Sequence, residues 1–93
     1  MIIAAAEIKL YAPWVHSLKE KRMVVKSITA KVQNKFNASI AEVAKNDIHQ
    51  TILLGVACVS KDTVHADSTL DHVLNYIEDN TEAELMDIQR EVR

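Results

Sequence analysis

The sequence predicts an α+β domain with the order β-α-β-β-α-β, from two helical and four extended patterns. Residues 2–11 alternate with a period of two, which is typical of a strand. Residues 17–36 place apolar side chains at helical spacing behind a capping residue, and residues 51–59 are apolar on both faces, as in a buried strand. This order is the split βαβ or ferredoxin-like arrangement, in which two helices cover one face of a four-stranded antiparallel sheet.

The first helix is the most clearly marked element. Ser17 can cap its first turn, and the Glu20 side chain can reach back to the Ser17 backbone amide, which is the capping-box pattern. At about 100° per residue, one buried stripe contains five apolar residues: Leu18, Val25, Ile28, Val32 and Phe36. The same arithmetic places Lys19, Arg22 and Lys26 together in a second arc outside this stripe, on the exposed side.

The remaining elements follow from shorter patterns. A second strand is predicted over residues 38–44, and Asn46-Asp47 predicts a hairpin turn into the third strand. Asp62 can cap a second helix, and residues 83–92 predict a final strand with weak alternation. The whole chain, residues 1–93, is therefore predicted to form a single domain.

Composition restricts the class of protein. The single cysteine, Cys58, excludes an internal disulfide framework and a zinc site built on paired cysteines, which favours a reducing compartment. No apolar run approaches the roughly 20 residues that span a bilayer, and no charged segment of the signal-peptide kind precedes the first strand. We expect a cytoplasmic protein that has no membrane partner.

The predicted sheet leaves apolar side chains on the face that the helices do not cover. Ile3 and Ala5 of the first strand lie there, together with about half of the third strand in either phase. An apolar patch of this kind is unusual on a monomer. We therefore expect a homodimer that forms through the open sheet face.

Charge is distributed unevenly along the chain. Residues 1–46 carry eight Lys and Arg against three Asp and Glu, whereas residues 47–93 carry three against ten. One interpretation is that two solvated helix faces simply differ in sign. The other is a polarised surface that steers an anionic partner toward the first helix.

A candidate anion site lies at the start of the first helix, where free backbone amides and the helix dipole attract phosphate. Its donors would be His16, Ser17, Lys19, Lys21, Arg22 and Lys26. Such a site would suit the phosphate backbone of RNA. The alternative is that Ser17 and Glu20 only satisfy the helix end, and that the lysines only keep the protein soluble.

Catalysis, metals and cofactors have little support in the sequence. His65 and His72 are seven residues apart, which is farther than the i, i+4 spacing of a helical metal pair. The central strands offer only Tyr11 for stacking bases, so any RNA contact is expected to come from the helix. Trp14 either packs over the end of the core or lies exposed as a partner anchor. We expect no enzyme, no metal and no cofactor.

Three stretches resemble the YlxP-like family of small bacterial proteins: HSLKEKR at 16–22, FNASIAEV at 36–43, and LGVA at 54–57 followed by Ser60. The resemblance covers essentially the whole chain. It implies a ferredoxin-like fold and, in many bacteria, a gene neighbourhood of translation and ribosome-maturation factors, and it implies no established activity. Arg90 stands where the family tends to have an apolar residue.

The sequence therefore predicts a protein that binds rRNA or a ribosomal particle through Lys19, Arg22, Lys26 and their neighbours. The alternative is a dimeric regulatory or interaction module that binds a small ligand or a protein at the sheet interface. A third possibility is an enzyme whose site forms only between chains. Salt separates the first two, because phosphate binding weakens as ionic strength rises.

Overall fold

The computed structural model describes residues 1–44 and 48–93, and its elements follow the predicted order. Their bounds are β1 Ile2–Tyr11, α1 Leu18–Lys35, β2 Ser39–Ala44, β3 Thr51–Ser60, α2 Thr63–Asp79 and β4 Glu84–Val92. The four strands form one antiparallel sheet in the order β2-β3-β1-β4, and both helices pack on one face of it. The ferredoxin-like prediction is confirmed. The predicted turn at Asn46-Asp47 lies outside the described residues.

The core lies between the sheet and the helices and is aliphatic. The central strands β1 and β3 pair along their full length, from Ile2 opposite Ser60 to Tyr11 opposite Thr51. Every second residue of these strands points toward the helices and is buried: Ala4, Ala6, Ile8, Leu10, Ile52, Leu54, Val56 and Cys58. Burial raises the pKa of the Cys58 thiol, so this side chain acts as a small apolar group.

Helix α1 begins at the predicted cap and ends against α2. The Ser17 hydroxyl oxygen accepts a hydrogen bond from the Glu20 backbone N–H at 3.1 Å, which satisfies one of the unpaired amides of the first turn. At the other end, Phe36 takes an extended backbone conformation, and its ring packs edge to face on Tyr76 with the centroids 5.5 Å apart. The Lys35 ammonium lies 5.0 Å from the centroid of the same Tyr76 ring.

Helix α2 also begins at its predicted cap. An Asp62 carboxylate oxygen accepts a hydrogen bond from the His65 backbone N–H at 2.8 Å. This bond, reinforced by a contact with the His65 ring, holds the pKa of the Asp62 carboxyl below its usual range. The cap is therefore a charged group that faces the positive end of the helix dipole at neutral pH.

Arg90 attaches the edge strand β4 to α2. It lies opposite Ala6 in the sheet, so its side chain projects toward the helices. Its guanidinium group forms ion pairs with Asp71 and, at 3.2 Å, with Asp67. A charged residue stands at this inward position because the guanidinium reaches the carboxylates on the helix surface while its stem covers the core edge.

Candidate anion-binding surface

Three cations share the exposed side of the first half of α1. Lys19, Arg22 and Lys26 are all exposed, and their spacing of three and four residues places them on one side of the helix. Within residues 1–44 and 48–93, none of these three side chains forms an ion pair within 4.0 Å. We refer to Lys19, Arg22 and Lys26 as the basic face.

His16 and Ser17 lie at the N-terminal end of α1. His16 is exposed beside the first turn. The Ser17 hydroxyl oxygen is engaged by Glu20, and the Ser17 carbonyl accepts the Lys21 backbone N–H at 3.1 Å. The chain thus satisfies part of its own helix end, so an anion would rely chiefly on the charges of the basic face.

The prediction that Lys21 is one of the anion donors is wrong, because its side chain is buried. Only 1% of the residue is exposed. Its ammonium donates a hydrogen bond to the Ile48 carbonyl at 2.6 Å and lies 2.7 Å from a carboxylate oxygen of Glu42. An anion bound at the surface of α1 cannot reach this group, so Lys21 is not part of the basic face.

The buried ion pair joins three parts of the chain. Glu42 lies opposite Leu54, whose side chain faces the core, so its carboxylate points beneath α1. Lys21 descends from α1 to meet it, and the Ile48 carbonyl lies just before β3. Sequence reasoning missed Glu42, although its position two residues after Ile40 puts both on one face of β2.

A groove opens beside the basic face, between α1, the β1–α1 connection and the α2–β4 connection. Its volume is about 310 Å³, and its walls include Trp14, Met23, Ser27, Thr81 and Glu82. Trp14 is 40% exposed and Met23 is 65% exposed. Of the two positions expected for Trp14, the structure shows the exposed one and not a lid packed over the end of the core.

The open sheet face is the face of the sheet that neither helix covers. Ile3 and Ala5 lie on it, as predicted, and its centre is a shallow depression of about 600 Å³. The depression has a floor of small residues: Ala5, Ser39, Ala41, Gly55 and Ala57. Val43 packs across Gly55, where a Cβ atom would lie only 2.7 Å from a Val43 methyl group. Polar side chains line the rest of the depression: Glu7 on β1, opposite Gly55, and Gln89 and Glu91 on β4.

The remaining reactive side chains are dispersed. Within the described ranges, no three His, Cys, Asp or Glu side chains lie close enough together to hold a metal ion. The His65 ring lies 3.3 Å from the Asp62 carboxylate, and Cys58 is buried in β3. Among the helices described, none has both the length and the apolar composition needed to cross a membrane.

Solved structures with a similar fold include two designed proteins. A de novo designed protein with ferredoxin fold, LFR1 1, is 21% identical with a TM-score of 0.62, over 100% of this chain and 86% of that chain. The de novo designed protein Foldit4 is 12% identical with a TM-score of 0.51, over 99% of this chain and 94% of that chain. At these identities the likeness concerns the fold alone.

Similarity in sequence confirms the resemblance to the YlxP-like family. The chain is 46% identical over 68 residues to the "Uncharacterized protein YlxP" of Bacillus subtilis (strain 168), which covers 73% of this chain and 74% of that protein. Residues 3–90 match the family model described as "Protein of unknown function (DUF503)". The chain therefore belongs to the DUF503 family.

Proposed function

We propose that this protein binds RNA through the basic face, with ribosomal RNA or a ribosomal particle as its partner. One observation carries the proposal: Lys19, Arg22 and Lys26 are exposed side by side, and no carboxylate of the described residues pairs with them. The role is one of binding in the cytoplasm and involves no catalytic step.

Phosphate is the anion that best suits this group of side chains. Arg22 can bind two phosphate oxygens at once, whereas the two lysines act as point charges. The positive end of the helix dipole adds to their attraction for an anion near the start of α1. Residues 47–93 carry three Lys and Arg against ten Asp and Glu, so repulsion by this half of the chain would direct a polyanion toward α1.

The open sheet face is a poor alternative for RNA. Sheets that bind single-stranded RNA stack bases on aromatic residues of their central strands. Here the central strands place only Tyr11 at the end of β1, and it is partly buried. The gene neighbourhood implied by the family resemblance supports ribosomal RNA as the class of partner by analogy.

Binding to ribosomal subunits and rRNA fragments at two salt concentrations tests this proposal. Each phosphate contact is expected to contribute about −0.7 to −0.9 to the slope of log affinity against log salt concentration. Three contacts then predict a loss of affinity of roughly 10- to 20-fold between 50 and 150 mM salt. An affinity that is absent, or that does not change with salt, would contradict the proposal.

A second candidate function rests on the open sheet face. We propose that a second copy of the chain covers it and that the paired sheets form a site for a small ligand or a protein. The small side chains at Ala5, Gly55 and Ala57 would let two sheets approach closely, while Val59, which is 64% exposed, supplies apolar area beside them. Pairing would also enclose the central depression.

Substitution at the centre of this face tests the dimer. Ala57→Lys places a charge opposite Ala5, on the floor of the depression, and is expected to convert a dimer into a monomer in analytical ultracentrifugation. Val64→Lys is the matched control, because Val64 is 79% exposed on α2 and lies away from this face. The proposal fails if the wild-type protein sediments as a monomer at high concentration, or if both variants behave alike.

A further inference from the structure

We infer that the groove beside the basic face receives an unpaired base of the bound RNA, stacked on Trp14. This inference rests on the proposed function and specifies which kind of RNA is bound. An uninterrupted duplex offers no base to the groove, so the preferred RNA has an unpaired nucleotide next to a backbone that the cations can hold.

Met23 connects the groove to the basic face. It lines the groove with Trp14 and lies four residues after Lys19 and three residues before Lys26. Residues at these spacings are neighbours on a helix surface, with Cβ atoms about 5–6 Å apart. A strand whose phosphates lie on the two lysines therefore passes Met23, from where an unpaired base can reach the groove.

The walls of the groove suit a planar base. The exposed side of Trp14 offers an aromatic surface, and bases of any identity stack on such surfaces. The Met23 thioether can pack against the same ring system. The volume of about 310 Å³ is at the lower end of the range for small-ligand pockets, so it suits one base better than a longer segment.

The far rim of the groove gives the base an orientation. The Thr81 hydroxyl oxygen accepts the Ala83 backbone N–H at 3.2 Å, which positions this side chain at the rim. Glu82, also in the wall, repels phosphate but can accept a hydrogen bond from an exocyclic amino group of a base. The backbone of the RNA is thus expected on the α1 side and the edge of the base on the Glu82 side.

Trp14 is the only tryptophan of the chain, so its fluorescence reports directly on stacking. The test uses two RNA hairpins with equal numbers of phosphates, one fully paired in its stem and one with an unpaired bulge. The bulged hairpin is expected to bind about tenfold more tightly and to quench Trp14 fluorescence. Trp14→Ala should abolish this preference and keep the duplex affinity, whereas Trp14→Phe should retain most of the preference. Thermal unfolding checks that both variants are folded.

Several results would overturn the inference. Equal affinity for both hairpins with unchanged fluorescence, while salt still weakens binding, would overturn stacking and leave the proposed function intact. An equal loss of duplex and bulge affinity in Trp14→Ala would show that Trp14 only supports the fold. Quenching by RNA-free ribosomal proteins but not by RNA would assign the groove to a protein partner. Absence of any RNA binding would overturn both proposals.

Discussion

Replacement of Lys21 by methionine is expected to lower the free energy of unfolding by about 3 kcal/mol. The substitution keeps an unbranched apolar stem of similar length but removes the ammonium that contacts the Glu42 carboxylate and the Ile48 carbonyl. A buried carboxylate that loses its cation is costly because it remains desolvated. We expect a loss of stability at the lower end of the range for breaking buried ion pairs, because 17% of the Glu42 side chain is still exposed.

Urea and thermal denaturation measure this effect, with a shift in Tm of roughly 15 °C for a domain of this size. Lys19→Met is the matched control, because Lys19 is exposed two residues away on the same helix, and its loss should change stability by less than about 0.5 kcal/mol. The double variant Lys21→Met, Glu42→Leu should recover most of the lost stability, since an apolar pair can replace a buried ion pair. Equal stabilities of Lys21→Met and Lys19→Met would contradict this role for Lys21.

The burial of Lys21 could not be predicted from the sequence. At about 100° per residue, it falls within the arc that contains Leu18, Ile28 and Val32. The helical period therefore placed this residue on the buried side, whereas its charge suggested the surface. Its position depends on Glu42, which comes from another element, and the pairing of two distant residues is not visible in either local pattern.

The elements themselves were predictable because their signals are local. The period of two over Ile2–Tyr11 gives the observed bounds of β1, and Ser17 and Asp62 cap the helices that follow them. The exposure of Lys19, Arg22 and Lys26 follows from the same helical period. The groove could not be predicted from local patterns, because it forms only where the α2–β4 connection approaches Trp14. Such contacts between distant segments are set by packing.

Simultaneous replacement of Lys19, Arg22 and Lys26 by alanine is expected to lower RNA affinity by roughly 100-fold at 0.1 M salt. Three contacts with a single strand, each with a slope of about −0.7, give this factor at 0.1 M relative to a reference of about 1 M salt. The three side chains are exposed, and alanine is a good helix former, so the fold should be preserved. Fluorescence anisotropy of a labelled rRNA fragment, with circular dichroism of the variant, measures both effects.

A second triple variant controls for net charge. Lys9, Lys35 and Lys61 are exposed on β1, at the end of α1 and after β3, so their replacement by alanine removes the same charge from other surfaces. This variant should lose only a small part of the affinity, through long-range electrostatics. If the two triple variants bind equally weakly, the attraction comes from overall charge and the basic face has no special role.

Nuclear magnetic resonance can map the RNA contact on this protein residue by residue. Amide chemical shifts of ¹⁵N-labelled protein, recorded during titration with an rRNA fragment, distinguish the two faces of this small domain. We expect the shifts to change over residues 16–27 and at the Trp14 indole. Changes centred instead on Ala5, Gly55 and Ala57 would place the ligand on the open sheet face and contradict binding by α1.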